Sequence, residues 1–251
     1  MKYRIFSLFY IAIVFVTQMA AENGSHLWLR LPANAHAEIS APRQSPTLNI
    51  AVEELHQAWQ GAPVQLVIQR DKQLQPEGFR IRHEDNKITL TSPTETLYAA
   101  YHLLRMQATG QNVTATQTTE NPAYSLRILN HWDNMDRTVE RGYAGQSLWN
   151  WEELPNTLSD RYKEYARANA SIGINGTVLN NVNASPKILS AEYLQKVKAL
   201  ADIFRPYGLR VYLSVNFASP MALDSLSTAD PLDKKVIRWW KNKVKEIYRI
   251  I

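Results

Sequence analysis

Apolar residues in the first half of the chain switch between helical and alternating spacing. Leu48, Val52, Leu55 and Trp59 recur every three or four residues, which predicts a helix that begins at Pro46-Thr47 and stops at Gly61-Ala62-Pro63. Val64–Ile68 reads as a short buried strand. Residues 79–82 and 88–90 alternate around Glu84-Asp85-Asn86, the pattern of a hairpin. Residues 97–106 carry Leu97, Ala100, Tyr101 and Leu104 on one helical face. Residues 109–119 are polar and Thr-rich and read as a linker.

The pattern changes after Asn121-Pro122. Strands are predicted at 125–130, 176–179 and 209–215, and helices at 161–170, 190–207 and 231–248. The second helix turns Tyr193, Leu194, Val197, Leu200, Ala201 and Phe204 inward; the third turns Val236, Trp240, Val244 and Ile247. Strand–helix alternation at a repeat of roughly 40 residues predicts βαβ units and a parallel sheet. Each strand runs into a polar or aromatic tail: His131-Trp132-Asp133-Asn134, Asn180-Asn181-Val182-Asn183, and Asn216-Phe217. In a parallel α/β barrel the strand C-termini build the site. Amides hydrogen-bond hydroxyls, and indole faces stack on the C–H face of pyranose rings, so these tails suit sugar binding. Taken singly, Trp132 or Trp149 would read as core, and Asn180 or Asn183 as a turn or helix cap.

The extreme N-terminus adds a location. Lys2 and Arg4 precede an apolar run over 5–16, followed by Met19-Ala20-Ala21, which reads as a secretory signal peptide over 1–21. The run is short for a bilayer span, although an uncleaved anchor is the competing reading. Cleavage would lower the formal charge from +5 to +3. With no cysteine there is no lipoprotein anchor, disulfide framework, thiolate zinc site or cysteine nucleophile. The expected location is the periplasm or the medium of a bacterium, with no membrane association after cleavage. The positive charge is diffuse, which excludes nucleic acid as the expected partner.

The strand-end segments carry a resemblance. NHWDN at 130–134, VERGYAG at 139–145, SLWNW at 147–151, INGTVLNNVNA at 174–184, YLSVNFASP at 212–220 and TADPLD at 228–233 resemble the microbial α-glucuronidases that debranch xylan, glycoside hydrolase family 67. EGFRI at 77–81 with LYAAYHLL at 97–104 resembles the α+β domain that precedes the barrel in this family and in β-hexosaminidases; Thr96 stands where a Gly is usual. The resemblance implies a hexosaminidase-like α+β domain over 22–120, then the first three βα units of a (β/α)8 barrel over 121–251. It implies hydrolysis, with inversion, of the α-1,2 bond joining glucuronic or 4-O-methylglucuronic acid to a xylo-oligosaccharide. Trp132 would flank the uronic acid ring and Val182 would pack near its substituent, with Asn181 and Asn216 supporting the pocket. No cofactor or metal is implied, and a homodimer is open for the full-length enzyme.

The same resemblance places the catalytic acid after the fourth barrel strand and the base further on, both beyond Ile251. Asp133, Asp136, Glu140 and Asp230 do not match those positions. Residues 121–251 are about half of the roughly 250 that such a barrel takes. The chain is therefore expected to be an inactive front part of the enzyme. Two alternatives compete: a carbohydrate-binding protein on a reduced barrel, which would leave an unprotected edge strand, and a hexosaminidase-like glycosidase.

Overall fold

The computed structural model describes residues 27–33, 35–113 and 117–251. The export-signal reading of 1–21 lies outside them. The chain forms two compact units, Met1–Arg30 and Leu31–Ile251. The described part of the first, residues 27–30, is a turn and a short irregular segment. The second unit holds two sheets.

The first sheet has the order β1-β2-β4-β3-β5, with β1 (Ile39–Ser40), β2 (Val64–Ile68), β3 (Phe79–Glu84), β4 (Lys87–Ser92) and β5 (Gln117–Glu120). β1, β2 and β4 run parallel, while β3 is antiparallel to β4 and β5. Alternation buries Leu66, Ile81, Ile88 and Leu90 on one face. That core includes Leu48 and Leu55 of α1 (Pro46–Ala58) and Leu103 and Leu104 of α2 (Leu97–Ala108). α1 starts where predicted because the Ser45 hydroxyl accepts from the Leu48 amide at 3.1 Å and Pro46 sits in the first turn. The β3–β4 hairpin closes through Asp85 and Asn86, both at positive φ (50° and 58°), the turn whose twist suits antiparallel strands.

Residues 117–120 are not linker. They pair with β3 from Phe79↔Glu120 to Arg82↔Gln117. A strand at a sheet edge has little surface to bury, so its Thr residues carry β-propensity without an apolar alternation.

The second sheet is parallel, in the order β6-β7-β8: β6 (Ile128–Asn130), β7 (Gly176–Val178) and β8 (Arg210–Tyr212). All three strands are shorter than the sequence predicts. α3 (Asp160–Ser171) joins β6 to β7, and α4 (Ala191–Phe204), continued by a 3-10 turn at Arg205–Tyr207, joins β7 to β8. Gly208 ends that turn at φ 76°, a conformation that favours glycine. A Cβ at Gly176 would come within 2.8 Å of the Tyr212 ring and 3.0 Å of Ile128, so the close approach of three neighbouring strands requires glycine there. The helix side of the sheet is aromatic: the Trp149 ring lies 5.1 Å from Tyr165, 5.7 Å from Phe204 and 5.8 Å from Tyr162. Trp149 and Trp151 are fully buried, so both tryptophans are core.

α5 (Ser219–Asp224), which contains Pro220, and α6 (Lys234–Ile250) follow β8. α6 starts at Lys234, not at 231, because Asp233 caps it by accepting from the amides of Lys235 and Val236. Its predicted inward face is only partly covered. Val236 is buried, Trp240 and Ile247 are half-buried, and Val244 is 45% exposed.

Two ion clusters join the halves. Glu54 of α1 accepts from Arg167 of α3 at 2.5 and 2.7 Å and from the Tyr101 hydroxyl at 3.0 Å. Glu77 accepts from Arg127 at 2.5 Å and from the Asn175 amide at 2.9 and 3.2 Å, while the Arg127 amide donates to Asn175 Oδ1 at 2.8 Å. Both halves belong to the same compact unit.

Candidate active-site face at the strand ends

The segments that follow β6, β7 and β8 interlock. After β6 the chain makes a tight loop in which Asp133 bridges Val139 and Thr138 bridges Gln146. Arg137 and Glu140 hold left-handed φ (71° and 59°) without being glycine. That backbone is uncommon and costs energy unless its surroundings fix it. The fixing groups are visible. Glu140 donates its amide to Trp132 O, and its carbonyl accepts from the amides of Asn134 and Asn181.

Asn181 is the centre of the arrangement. Its Nδ2 faces Trp132 O at 3.3 Å, Asn134 Oδ1 at 3.1 Å and Glu140 O at 3.4 Å, while its Oδ1 accepts from the Asn183 amide at 2.9 Å. Its backbone amide donates to Asp133 O at 2.8 Å. Asn180 acts on the other side, accepting from Ser214 N at 2.9 Å and donating to Ser214 O at 3.0 Å. Asn216 donates to Ala184 O at 3.1 Å and accepts from the Ala218 amide. Asn181 thus ties the loop after β7 to the loop after β6, and Asn216 ties the loop after β8 to the loop after β7. Trp132 and Val182 stand 39% and 49% exposed, on the first two of those loops.

A cavity of about 260 Å³ lies between the first two loops, lined by residues 133–136 on one side and by Asn180, Asn181 and residues 183–185 on the other. Trp132, Val182 and Asn216 are not part of its lining. Asp133 and Asp136, discounted on the sequence as catalytic groups, are. Asp133 sits in the same strand-end run as Trp132, and Asp136 lies two residues beyond the end of that run.

Behind this face runs a chain of polar contacts. Asp133 is buried and accepts from Ser147 Oγ at 2.5 Å; its other oxygen lies 3.8 Å from His131 Nδ1. His131 Nε2 meets the Tyr165 hydroxyl at 2.7 Å, which meets Thr177 Oγ1 at 2.9 Å. Burial pushes the His131 pKa down, against the pull of the Asp133 carboxylate, so the imidazole is held toward its neutral form. Burial pushes the Tyr165 hydroxyl up to about 12. At the exposed rim, hydrogen bonds from the Thr138 hydroxyl and amide hold Asp136 below the usual carboxylate range. Among the described residues, no group of three or more His, Cys, Asp and Glu is placed to hold a metal ion.

The chain's likenesses agree with this architecture. It is 43% identical over 180 residues to a probable alpha-glucuronidase A of Aspergillus clavatus, covering 70% of this chain and 21% of that protein. It is 36% identical over 270 residues to the probable alpha-glucuronidase A of Neosartorya fischeri, covering 91% of this chain and 32% of that protein. The chain therefore spans a third or less of the length of these curated relatives. Among solved structures, the GH20 beta-N-acetylhexosaminidase of Streptomyces coelicolor A3(2) superposes with a TM-score of 0.51 at 13% identity, over 87% of this chain and 54% of that one, a likeness of fold alone. Residues 106–251, more than half of the sequence and all of the strand-end face, match the model of the glycosyl hydrolase family 67 middle domain, and the chain belongs to that family.

Proposed function

We propose that this chain forms the front part of an exported α-glucuronidase. Residues 22–120 supply a hexosaminidase-like α+β domain, and residues 121–251 supply the first three βα units of a (β/α)8 barrel. The substrate is a xylo-oligosaccharide with a glucuronic or 4-O-methylglucuronic acid branch, whose α-1,2 bond is hydrolysed with inversion. In that reaction a protonated acid serves the leaving oxygen and a carboxylate activates water on the opposite face. Trp132 flanks the uronic acid ring and Val182 packs near its substituent. Asn181 and Asn216 act one step back, fixing the loops that carry them.

The observation that carries this reading is the interlocking of the strand-end loops through Asn181, which ties Trp132 O to the polar cavity. On this reading the carboxylates at hand are not the catalytic pair. Asp133 is buried against Ser147, and Asp136 is exposed and held ionised by Thr138, the opposite of what a general acid needs. On this reading the chain holds part of the sugar pocket and none of the acid–base chemistry.

One titration tests both halves. Aldotetraouronic acid is added to the purified 251-residue chain while intrinsic fluorescence and free uronic acid are followed. We expect a saturable change that Trp132→Ala abolishes, and no release of uronic acid. Turnover would sink the non-catalytic reading, and a fluorescence response that survives Trp132→Ala would remove Trp132 from the pocket.

A further inference from the structure

The formal charge of +5, which reads as diffuse along the chain, is gathered by the fold on one element. α6 carries seven Lys and Arg and one Glu, a formal +6, so all other residues together carry −1. Lys234, Arg238, Lys241, Lys245 and Arg249 follow one another at steps of four, three, four and four residues. At 3.6 residues per turn that spacing holds them within a sector of about 80°, a stripe about 22 Å long on the side opposite the buried Val236. All five are exposed, and among the described residues none of them forms an ion pair. The acidic side chains nearby are engaged elsewhere. Asp233 caps the helix, Asp224 accepts from the Trp239 indole, and Glu246 accepts from Lys243 at 2.8 Å. Like charges four residues apart repel and weaken a helix, and a merely solvated face ordinarily alternates its signs. A single-signed stripe is complementary to a chain of anions.

The stripe also has a direction. Trp240, in the first half of α6, lies 6.3 Å from Phe217 in the loop after β8, while the Ile251 carbonyl at the far end accepts from Arg205, which precedes β8, at 2.7 Å. The helix therefore runs from the strand-end face back toward the strand starts, and Lys234 marks the end of the stripe nearer that face.

We infer that the outer face of α6 is a docking surface for a polysaccharide bearing many uronates, which charge holds along the stripe and which leads onto the strand-end face. The choice of polyanion rests on the α-glucuronidase reading. Carboxylates accept charge-assisted hydrogen bonds from Lys and bidentate ones from Arg. The apolar side chains that a bilayer would need beside the cations lie off the stripe. Trp239 is tied to Asp224, Trp240 is half-buried beside Phe217, and Val244 and Tyr248 line the groove beside β8. Charge without an apolar surface favours a hydrated polymer over a membrane.

Biolayer interferometry of the 251-residue chain on immobilised glucuronoxylan at pH 7 tests the surface, with carboxyl-reduced glucuronoxylan and phosphatidylglycerol vesicles as comparisons. Arg238→Gln, Lys241→Gln and Lys245→Gln together remove the middle of the stripe, and glutamine keeps the helix propensity. Arg70→Gln, Lys72→Gln and Lys163→Gln remove the same charge from exposed positions off α6. The parent is expected to bind glucuronoxylan at least tenfold more tightly than the reduced polymer or the vesicles, and to lose roughly tenfold between about 20 and about 200 mM salt. The α6 variant should lose at least tenfold with its melting temperature unchanged or raised, and the off-helix variant less than twofold. Equal losses in the two variants, equal binding of the reduced polymer, or tighter binding to the vesicles would each overturn the docking surface. Aldotetraouronic acid, with a single uronate, separates this surface from the pocket. If the polymer binds through α6 while aldotetraouronic acid does not bind, the surface stands and the pocket reading fails. If Trp132→Ala abolishes binding of both and the α6 variant weakens neither, the pocket stands and the surface fails.

Discussion

Asn180 and Asn181 are adjacent amides with different duties. Asn180 pairs its donor and acceptor with one residue, Ser214, as a backbone rung would, and so extends the β7–β8 pairing past the end of the strands. Asn181 turns its amide donor toward three oxygens, Trp132 O, Asn134 Oδ1 and Glu140 O. It is 4% exposed, so those oxygens would lose a partner that water does not easily replace. Asn181→Ala should destabilise the chain by about 2 kcal/mol, the usual cost of leaving buried acceptors unsatisfied. Asn181→Asp, nominally milder, should be worse at neutral pH, because a carboxylate would face three acceptors. Its pKa would be raised, so the folded state holds its proton more tightly than the unfolded chain does. The stability of Asn181→Asp relative to the parent should then recover as pH falls through that raised value and disappear as pH rises through it. Urea melts of the two variants at pH 7 and pH 5 give the ranking. An Asp variant more stable than the Ala variant at pH 7 would remove Asn181 from the role of donor.

α6 tests the reading at the scale of an element. Its first turn carries Lys234 and Lys235, which oppose the helix dipole, and no acidic residue. Only Asp233, through its two capping hydrogen bonds, offsets them. Asp233→Ala should cost about 1 kcal/mol. Val236 is the one buried residue of the helix, so the loss should appear mainly as faster amide exchange along α6, with β6, β7 and α4 unchanged. Uniformly faster exchange across the sheet would mean that α6 is coupled to the whole fold. The same helix shows where pattern reading works and where it stops. The Asp85-Asn86 hairpin, α1 and the short buried strand β2 were legible, because turn chemistry, caps and buried faces all act locally there. The edge strand β5 was not, since Gln117-Thr118-Thr119-Glu120 has no apolar face to show. The apolar stripe of α6 was read correctly as a stripe, yet it does not report whether anything covers it. In the site, the amide-rich strand ends were visible in sequence. That Asn181 clamps loops, and that Asp133 and Asp136 line the cavity, depends on the loop after β6 folding back on itself through non-local contacts, and the Asn216 clamp depends on the loop after β8 meeting the loop after β7.

At the scale of the molecule, the two ion clusters at Glu54 and Glu77 join the sheets on one side, while the other side of the second sheet is open. Among the described residues, β8 has no strand beyond it. Beside it lies a groove of about 650 Å³, between Val211, Leu213 and Val215 on one wall and Val244, Ile247 and Tyr248 of α6 on the other. An unpaired edge strand next to apolar side chains is a template for unwanted association. Tyr248 is 81% exposed and Val244 45%, so neither contributes much burial to the folded chain. The purified chain is therefore expected to self-associate in the high micromolar range, seen as a sedimentation coefficient that rises with concentration. Val244→Lys combined with Tyr248→Lys should shift that onset upward several-fold. The melting free energy should stay within about 0.5 kcal/mol of the parent, as for exposed positions generally. The binding titrations belong below this onset. If the doubly substituted chain associates at the same concentration as the parent, the contact lies elsewhere, and the exposed Phe217 and Leu232, on the loops before and after α5, are the next apolar surface to substitute.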